Sequence, residues 1–348
     1  MPGAAQYPGY LNVFIRDHDA SNKMVIDYAR NIKKFAVTQY TQLVPVKKVA
    51  GYYQEMTIEE AGRILYSDGR NFVWYDGQPA PEGNDGTESH NFKPFECIRY
   101  APTFNLGDLT IDQASWNILA QHASIKARQA MTLRTQLAIT VLTTSANYPT
   151  GHFSDISAIS GNSGNWAQST TARQDIKRSF ETAAEQILDD TLAAVELDDL
   201  MVVISSNAAA MLTQTQEIVD YIKGSPDALA QVRGELPNGN VMYGLPAKLY
   251  GFPIVVEKTR KVTSRKGATR AVSPVLAKTT AFMCSRPGGM VGVADAPNFS
   301  TCVIFSFEEM TVETLREPNN RRTVGRVVEN FVPKLVAGAS GYLFTNIQ

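Results

Sequence analysis

Hydrophobic residues recur at helical spacing from Thr110 to about Leu142, which is the strongest periodic signal in the chain. No proline or glycine interrupts this stretch before Pro149, and Thr110 with Gln113 fits a capping box at its start. The pattern predicts one long spine helix, roughly 48 Å at 1.5 Å per residue. The apolar positions that recur every three or four residues are Leu119, Ala123, Ala127, Ala130, Leu133, Leu137 and Val141.

The pattern beyond the spine alternates between helix and strand. Thr171 and Gln174 fit a second capping box, which opens a predicted helix with one apolar stripe. The stripe consists of Ile176, Phe180, Ala183, Ala184, Ile187, Leu188 and Leu192. The apolar run Leu200–Ile204 is typical of a buried strand. A third helix is predicted from Asn207 to about Tyr221. The remaining strands are rich in β-branched and aromatic residues and are predicted at 251–256, 281–284, 302–307, 311–330 and 335–347.

The N-terminal third has a different pattern. Residues 1–47 predict an extended arm with a short helix at Ser21–Lys34. Two aromatic strands, Phe72–Tyr75 and Phe95–Tyr100, flank a Gly- and Pro-rich stretch at 77–89, which predicts a protruding β-hairpin. Because an isolated hairpin is marginally stable in water, its aromatic side chains predict a contact with a neighbouring subunit. The alternative is that these strands lie at the edge of the main sheet.

The predicted contact surface on this hairpin is aromatic. The side chains assigned to it are Tyr52, Tyr53, Phe72, Trp74, Tyr75 and Phe95.

Composition limits the classes of function. The 348 residues are 44% hydrophobic and only 19% charged, which favours a molecule that covers part of its surface by self-association. With 33 basic and 34 acidic residues the net charge is −1, which excludes a chain-wide positive field for nucleic acid or acidic membranes. No apolar run approaches the roughly 18 to 20 residues of a membrane span. The N-terminus lacks the pattern of a secretory signal, so synthesis in a reducing cytoplasm is expected.

Basic residues nevertheless cluster locally. We expect the spine residues Lys126, Arg128 and Arg134 to face an interior surface or a neighbouring subunit. Two further runs are predicted to contact carboxylates of a neighbour, with a solvated loop and phosphate as alternatives. Their members are Arg260, Lys261, Arg265, Lys266 and Arg270 in the first run, and Arg321, Arg322 and Arg326 in the second.

The sequence offers no recognisable catalytic or metal site. No phosphate loop or nucleophile elbow occurs, and no histidine has a metal-ligand partner at short spacing. We therefore predict no enzymatic activity, no metal and no cofactor. The odd number of cysteines predicts buried free thiols rather than disulfides. The residues concerned are His18, His90, His122, His152, Cys97, Cys284 and Cys302.

The order of these elements is itself informative: arm, aromatic hairpin, long helix, mixed α/β region and terminal strands. The most specific local segments are Pro45–Lys48 with Gly51–Tyr53, the strand Met201–Ser206, the helix Leu212–Ile222, and Lys248–Val255 with its central glycine. In this order and in these segments the chain resembles the major capsid proteins of tailed bacteriophages, which have the Hong Kong 97-type fold.

The resemblance implies an α+β fold with an N-arm, an extended β-hairpin loop, a spine helix, and peripheral and axial domains. The implied divisions are an N-terminal arm at 1–47, the extended loop at 48–107, the spine helix at 108–145, the axial domain at 146–315, and strands returning to the peripheral domain at 316–348.

The function implied by the resemblance is that of a virion shell. Subunits would form pentamers and hexamers around double-stranded DNA that is bound without sequence specificity, and would assemble in the host bacterial cytoplasm. The implied partners are copies of the same chain, a portal and cement proteins. No acidic helical N-terminal extension that resembles a fused scaffolding segment is evident, so either that segment is removed or a separate scaffolding protein does its work, and we expect the latter.

Two other hypotheses about the function are compatible with the sequence. The first is an encapsulin-like nanocompartment shell with the same fold. The second is a cytosolic α/β enzyme whose site lies between the helix-strand-helix region and the terminal sheet, although the sequence lacks an acid/base constellation for it.

Overall fold

A computed structural model of the chain describes residues 35–54, 76–77, 91–159, 164–233, 244–285 and 300–348. The predicted helix at 21–34 and the predicted strand Phe72–Tyr75 lie outside the described residues.

The described residues contain seven α-helices and fifteen β-strands. The helices are α1 (Val37–Tyr40), α2 (Asp108–Gln113), α3 (Ile118–Leu142), α4 (Asp175–Asp190), α5 (Ser206–Leu212), α6 (Gln216–Gly224) and α7 (Pro226–Arg233). The first eight strands are β1 (Gln42–Pro45), β2 (Ala50–Gln54), β3 (Phe92–Glu96), β4 (Ile98–Tyr100), β5 (Thr103–Gly107), β6 (Phe153–Asp155), β7 (Leu200–Ser205) and β8 (Lys248–Leu249). The remaining strands are β9 (Phe252–Glu257), β10 (Arg260–Val262), β11 (Val272–Pro274), β12 (Ala281–Ser285), β13 (Cys302–Glu317), β14 (Arg322–Leu335) and β15 (Gly341–Thr345).

A six-stranded mixed sheet forms the larger core, in the order β6-β15-β12-β7-β9-β8. Its central strand β7 is buried at every position, which explains why the sequence there is a continuous apolar run rather than an alternating one. On one face of the sheet, Phe180 of α4 packs against Trp166 and Phe344. The predicted stripe of α4 is confirmed in its central part, since Ile176, Phe180, Ala183, Ala184 and Ile187 are all buried.

A second sheet has the order β1-β13-β14-β4, and β5 also pairs with β14. The antiparallel pair β13–β14 runs from Cys302↔Leu335 to Glu317↔Arg322 and is interrupted by register shifts between Ser306 and Thr311. Two short two-stranded ribbons, β2–β3 and β10–β11, stand outside both sheets. A two-stranded ribbon buries little apolar surface within itself, so its stability depends on what it packs against.

The strand pairing crosses the division implied at residue 315. β13 begins at Cys302 and stays in the five-stranded sheet through Glu317, while β15 near the C-terminus belongs to the six-stranded sheet. The domain boundaries themselves remain a prediction.

The spine helix is shorter than predicted. Residues 108–142 form two helices rather than one, because α2 ends at Gln113 and α3 begins at Ile118. The side chain of Asn117 caps α3 by accepting a hydrogen bond from the backbone N–H of Ala120 at 3.0 Å. Thr110 lies inside α2 instead of capping it, so the predicted capping box is wrong.

The start of α4 is also later than predicted. α4 begins at Asp175, and Gln174 precedes it in the left-handed region with φ of 48° and no capping hydrogen bond from its side chain. The hydroxyl of Thr171 donates to Asp220 instead of capping the helix. The predicted capping box of Thr171 and Gln174 is therefore wrong as well.

Glu217, at the start of α6, supplies the missing cap from a distant part of the chain. Its buried carboxylate accepts the backbone N–H groups of Ile176 and Lys177, both at 3.0 Å, and the hydroxyls of Tyr250 and Ser169. These groups satisfy the orphan donors of the first turn of α4. One side chain therefore joins two helices and the turn before β9.

Candidate subunit interface and basic cleft

The ribbon formed by β2 and β3 has two different faces. In its antiparallel register Tyr52 lies opposite Pro94 and Gly51 lies opposite Phe95. Because side chains alternate between faces along a strand, Tyr53 shares one face with Phe95, and Tyr52 shares the other with Pro94.

The inner face of this ribbon is anchored to the five-stranded sheet. Phe95 stacks on Phe305 of β13 with ring centroids 4.5 Å apart, and Tyr53 packs against the same ring at 5.7 Å. A Cβ at Gly51 would lie 3.0 Å from the Phe95 ring, so a residue without a side chain suits that position. Phe95 is buried within its own chain, and this corrects the prediction that it contacts a neighbour.

The outer face of the ribbon carries exposed apolar groups. Tyr52 is 75% exposed and Phe92 is 59% exposed, and Pro94 lies exposed between them on the same face. Two aromatic side chains that are exposed to this degree on one face of a ribbon are typical of a surface that another molecule covers. Phe92 is not among the contact residues predicted from the sequence, although its spacing of three residues from Phe95 puts the two side chains on opposite faces of a strand.

Three of the six aromatic residues predicted to form the interface lie outside the described residues. These residues are Phe72, Trp74 and Tyr75. Their contact with a neighbour remains a prediction.

The first predicted basic run forms a second ribbon. β10 and β11 pair antiparallel from Arg260↔Pro274 to Val262↔Val272, and the connecting turn carries Arg265 and Lys266 at its exposed tip. Lys261 joins the ribbon to the spine, because its Nζ donates to Oε1 of Gln136 at 2.7 Å. No acidic residue occurs anywhere between 258 and 285.

A cleft of about 660 Å³ separates this ribbon from the spine helix. Arg128 of α3 lines it together with Lys258, Arg260 and Arg270, so the fold brings two separate basic segments to one place. The cleft is also lined by apolar residues, namely Phe35, Ala36, Ile254, Val255, Val256, Val262 and Val272. The lining of the cleft is therefore positively charged in one part and apolar in another.

Among the described residues that line this cleft, Glu257 alone carries a carboxylate, and both of its oxygens accept hydrogen bonds from the same chain. Oε2 of Glu257 accepts the hydroxyl of Tyr40 at 2.8 Å, and Oε1 accepts the backbone N–H of Thr259 at 2.9 Å. Burial, reinforced by the charge of Glu257, raises the pKa of Tyr40 well above its usual value. Tyr40 thus stays neutral and holds α1 against the cleft.

Arg134 is not at a surface. Its guanidinium pairs with the carboxylate of Glu329 on β14, and their side chains are only 12% and 1% exposed. The same guanidinium lies 5.7 Å from the centre of the Phe331 ring, and burial lowers its pKa. This corrects the prediction that Arg134 faces an interior surface or a neighbouring subunit. By contrast Arg128 is exposed, and Lys126 is half-buried with its Nζ bonded to Gln129.

The second basic run lies at the far end of β13–β14. Arg322 bonds to Glu317 at 2.7 Å and Arg326 bonds to Glu313 at 2.5 Å, so both are engaged in cross-strand ion pairs of their own chain. Arg321 occupies the turn with φ of 45°. Its contact with a neighbour remains a prediction.

The three cysteines are free and buried, as predicted. Burial raises the pKa of Cys302 to about 12 and also raises the pKa values of Cys97 and Cys284, so the thiolate form is suppressed. His152 is buried between the carbonyl of Gly341 and the carboxylate of Asp190, at 2.8 and 2.6 Å.

The described residues contain neither a cluster of metal ligands nor a helix that could span a membrane. Within them, no group of three or more His, Cys, Asp or Glu side chains could hold a metal ion. Nor does any helix there combine the length and the apolar character needed to cross a bilayer.

Comparison with known proteins gives a result at the level of structure only. No family model matches the sequence, and no curated protein matches it. Among solved structures, a phage-related protein from Bordetella bronchiseptica RB50 is similar over 93% of this chain and 97% of its own, with 15% identity and a TM-score of 0.58. The capsid of Ralstonia phage GP4 is similar over 89% of this chain and 87% of its own, with 10% identity and a TM-score of 0.55.

A third similar structure is a virus-like particle from Pyrococcus furiosus. It covers 94% of this chain and 98% of its own, with 8% identity and a TM-score of 0.52. At such low identity the similarity concerns the fold, and it extends over nearly the whole length of each chain. The chain therefore has the fold of phage capsid proteins, the Hong Kong 97-type fold that the order of its elements predicts.

Proposed function

We propose that this protein is a structural shell subunit, the major capsid protein of a bacteriophage head. The observation that carries the proposal is the similarity in fold to capsid proteins over almost the entire length of both chains. The subunit catalyses nothing and needs no cofactor. Copies of it form hexamers and pentamers of a closed particle, assembled in the bacterial cytoplasm and retained in the virion.

The two-faced ribbon β2–β3 supports this proposal physically. A shell subunit binds several neighbours through extended contacts, and ribbons that reach over an adjacent copy increase the buried area without a thicker core. Tyr52 and Phe92 supply exposed aromatic surface on the outer face of this ribbon. Aromatic side chains are enriched among the residues that dominate interface energies.

The charge of the chain suits a wall around packed DNA. A net charge of −1 gives weak, nonspecific interaction with the genome, and strong attraction would hinder its movement. Further partners in this proposal are a separate scaffolding protein, a portal and cement proteins.

Electron microscopy of the expressed full-length chain tests the proposal. Closed particles of uniform size are expected, and nuclease treatment should leave double-stranded DNA protected inside particles taken from infected cells. The proposal is refuted if the chain sediments as a monomer or a small oligomer under all assembly conditions, with scaffolding protein supplied. That result would favour the hypothesis of a cytosolic α/β enzyme.

The second candidate is an encapsulin-like nanocompartment. Its support is the similarity to the virus-like particle from Pyrococcus furiosus, which covers as much of this chain as the phage structures do. Particles that contain protein cargo and no nuclease-protected DNA would favour this candidate over the phage head.

A further inference from the structure

The β10–β11 ribbon and its flanks carry a strong local positive charge. Residues 258–280 contain seven basic residues and no acidic residue, a net charge of +7, so the rest of the chain carries −8. A polyanion such as DNA is therefore repelled by most of the molecule and attracted to this ribbon. The basic residues are Lys258, Arg260, Lys261, Arg265, Lys266, Arg270 and Lys278.

Four of these cations are available for a ligand. Arg260 and Arg270 line the cleft beside the spine, and Arg265 and Lys266 lie exposed at the tip of the ribbon. Within the part of the chain that the structure describes, none of the four side chains forms a hydrogen bond or an ion pair. The carboxylate of Glu257 cannot neutralise them, because both of its oxygens accept hydrogen bonds from other groups.

Other cations of the chain are engaged. Arg128 and Lys258 have interactions within the chain, and Lys261 donates to Gln136. Several arginines elsewhere pair with carboxylates of their own chain, namely Arg99 with Glu308, Arg316 with Asp108, Arg322 with Glu317 and Arg326 with Glu313. The four cations of the ribbon differ from these arginines because no carboxylate of the described residues pairs with them.

The composition of the ribbon favours phosphate over a protein surface. Residues 258–280 include no aromatic side chain, whereas protein interfaces depend on aromatic anchors. The cations are interspersed with hydroxyl groups, which contact phosphate and sugar in protein–DNA complexes. These hydroxyl groups belong to Thr259, Thr263, Ser264, Thr269 and Ser273. The asparagine and glutamine side chains that read adenine are also absent from 258–280, so we expect no preference for base sequence.

The length of the ribbon matches the spacing of phosphates on DNA. β10 and β11 pair from Arg260↔Pro274 to Val262↔Val272, and the turn beyond them contains Gly267 with φ of 90°. Arg260 and Arg265 are five residues apart, which corresponds to roughly 16 Å of extended chain. Each DNA strand presents one phosphate for about 3.4 Å of helix axis. The ribbon therefore extends along about five base pairs, and several of its cations can contact phosphates at once.

The basic ribbon and the aromatic ribbon β2–β3 lie on opposite faces of the five-stranded sheet. Phe305 of β13 contacts the aromatic ribbon, whereas the adjacent Ile304 belongs to the buried cluster that contains Met131 of the spine. Lys261 joins β10–β11 to the spine and so to that second face. A shell subunit can therefore present aromatic surface to other copies on one face and cations to the enclosed genome on the other.

We propose that the β10–β11 ribbon binds the phosphate backbone of double-stranded DNA through Arg260, Arg265, Lys266 and Arg270. The inference rests on the proposed shell function for the source of the DNA, and it specifies which element of the subunit contacts the genome. Each subunit contributes a weak, salt-dependent contact, and the many copies in one shell act together.

DNA binding by the unassembled full-length protein tests the inference. Fluorescence anisotropy measures its affinity for a labelled duplex of about 30 base pairs between about 50 and 200 mM salt. Arg260→Gln/Arg270→Gln and Arg265→Gln/Lys266→Gln are each expected to lower the affinity at least roughly tenfold at the lowest salt. Each should also reduce the slope of log affinity against log salt by about one to two.

The matched control is Arg322→Gln/Arg326→Gln, which removes the same charge from residues that are paired with carboxylates. This control should keep the affinity within about twofold of the wild type. Circular dichroism establishes that each variant is folded, and the single substitutions Arg260→Gln and Arg265→Gln replace a double variant that is not. Two duplexes of unrelated sequence should bind the wild type equally well.

Three outcomes overturn the inference. Equal losses of affinity in the control and in the ribbon variants would show that only net charge matters. Unchanged affinity in both ribbon variants would place DNA binding elsewhere. Ribbon variants that bind DNA normally but form no particles would assign the ribbon to a contact between copies.

Failure of the inference and failure of the proposed function are distinguishable. Electron microscopy of the wild type decides the shell function, since absence of particles would refute it whatever the affinity for DNA. Wild-type protein that forms particles but does not bind the duplex in its unassembled form would overturn the inference alone.

Discussion

At the scale of single residues, two buried charges hold distant elements together. Glu217 caps α4 from the start of α6, and Arg134 joins the spine to β14 through Glu329. Neither carboxylate is close in sequence to its partner. Each interaction therefore exists only once the chain has folded, and each makes a sharp prediction about stability.

Replacing Glu217 with alanine should destabilise the fold. The buried N–H groups at the start of α4 would lose their acceptor, and leaving such donors unsatisfied costs about 1 to 3 kcal/mol each. We expect the free energy of unfolding to fall by roughly 2 to 4 kcal/mol in urea denaturation. Glu181→Ala on the exposed side of α4 is the matched control and should change it by less than about 0.5 kcal/mol. Equal effects of the two substitutions would contradict the capping role.

The Arg134–Glu329 pair predicts a different pattern. Arg134→Met leaves a buried carboxylate without its partner, which should lower the unfolding free energy by about 3 to 5 kcal/mol. Arg134→Met/Glu329→Leu removes both charges and should recover most of that loss, since replacing a complete buried pair by apolar groups is often neutral. Additive losses in the double variant, measured by the same denaturation, would show that the two side chains do not act as a pair.

At the scale of elements, the ribbon β2–β3 separates folding from assembly. Tyr53 packs on Phe305 within the chain, whereas the adjacent Tyr52 points outward and is 75% exposed. Tyr53→Ser should therefore lower the unfolding free energy by about 1 to 3 kcal/mol. Tyr52→Ser should leave it within about 0.5 kcal/mol and should instead reduce particle yield.

The comparison of these two neighbours needs stability and yield measured on the same preparations. Loss of stability in Tyr52→Ser would place that side chain in the core of its own chain. Normal yield in Tyr52→Ser would mean that the outer face of the ribbon is not an assembly contact.

The helices and strands also show which parts of the fold can be predicted from the sequence. The strand at Leu200–Ser205 and the central stripe of α4 were predictable because burial there follows directly from apolar spacing. The order of the elements was enough for the fold. The starts of α3 and α4 were not predictable, because Thr110 and Thr171 offer local caps while the chain uses Asn117 and the distant Glu217.

The buried face of the spine shows a second limit of sequence patterns. Its buried positions include Thr135, whose hydroxyl donates to the carbonyl of Met131 and so satisfies itself within the helix. Leu133 and Leu137, which the pattern placed on the buried stripe, are only half-buried. The small residue Ala138 is fully buried instead. A prediction from hydrophobicity alone therefore puts the buried face of the helix at the wrong positions.

The candidate site was predictable only in part. The basic residues of 260–270 and of the spine were visible in the sequence, but nothing local places Arg128 beside Arg260 and Arg270 across one cleft. Arg134 has the same charge and lies six residues further along the same helix, yet its buried side chain pairs with Glu329. Contacts between residues far apart in sequence decide which of these cations remain at a surface.

At the scale of the whole molecule, two sheets form the cores, and the two-stranded ribbons β2–β3 and β10–β11 stand outside both sheets. The ribbon β2–β3 exposes aromatic side chains on one face, and the ribbon β10–β11 carries Arg265 and Lys266 at its exposed tip. In the proposed shell these surfaces are available for contacts with other molecules, and a chain that carries both halves of a heterologous contact between copies can repeat it around a ring.

Stability of the whole molecule should fall in acid. Hydrogen bonds lower the pKa values of three carboxyl groups in different parts of the fold: Ser157 and Asn346 donate to Asp155, Thr171 and Gln216 to Asp220, and Asn320 and Arg322 to Glu317. A carboxyl group whose pKa is lowered by folding stabilises the native state above its ordinary pKa of about 4, and that stabilisation is lost as pH falls through the lowered value. The unfolding free energy should therefore be level from pH 7 to about 5 and decrease from about pH 4 to pH 2. Asp155→Asn/Asp220→Asn, which cannot ionise at either site, should give a shallower decrease when urea denaturation is repeated across this range. An unchanged slope in this variant would show that these two groups do not contribute to the acid sensitivity.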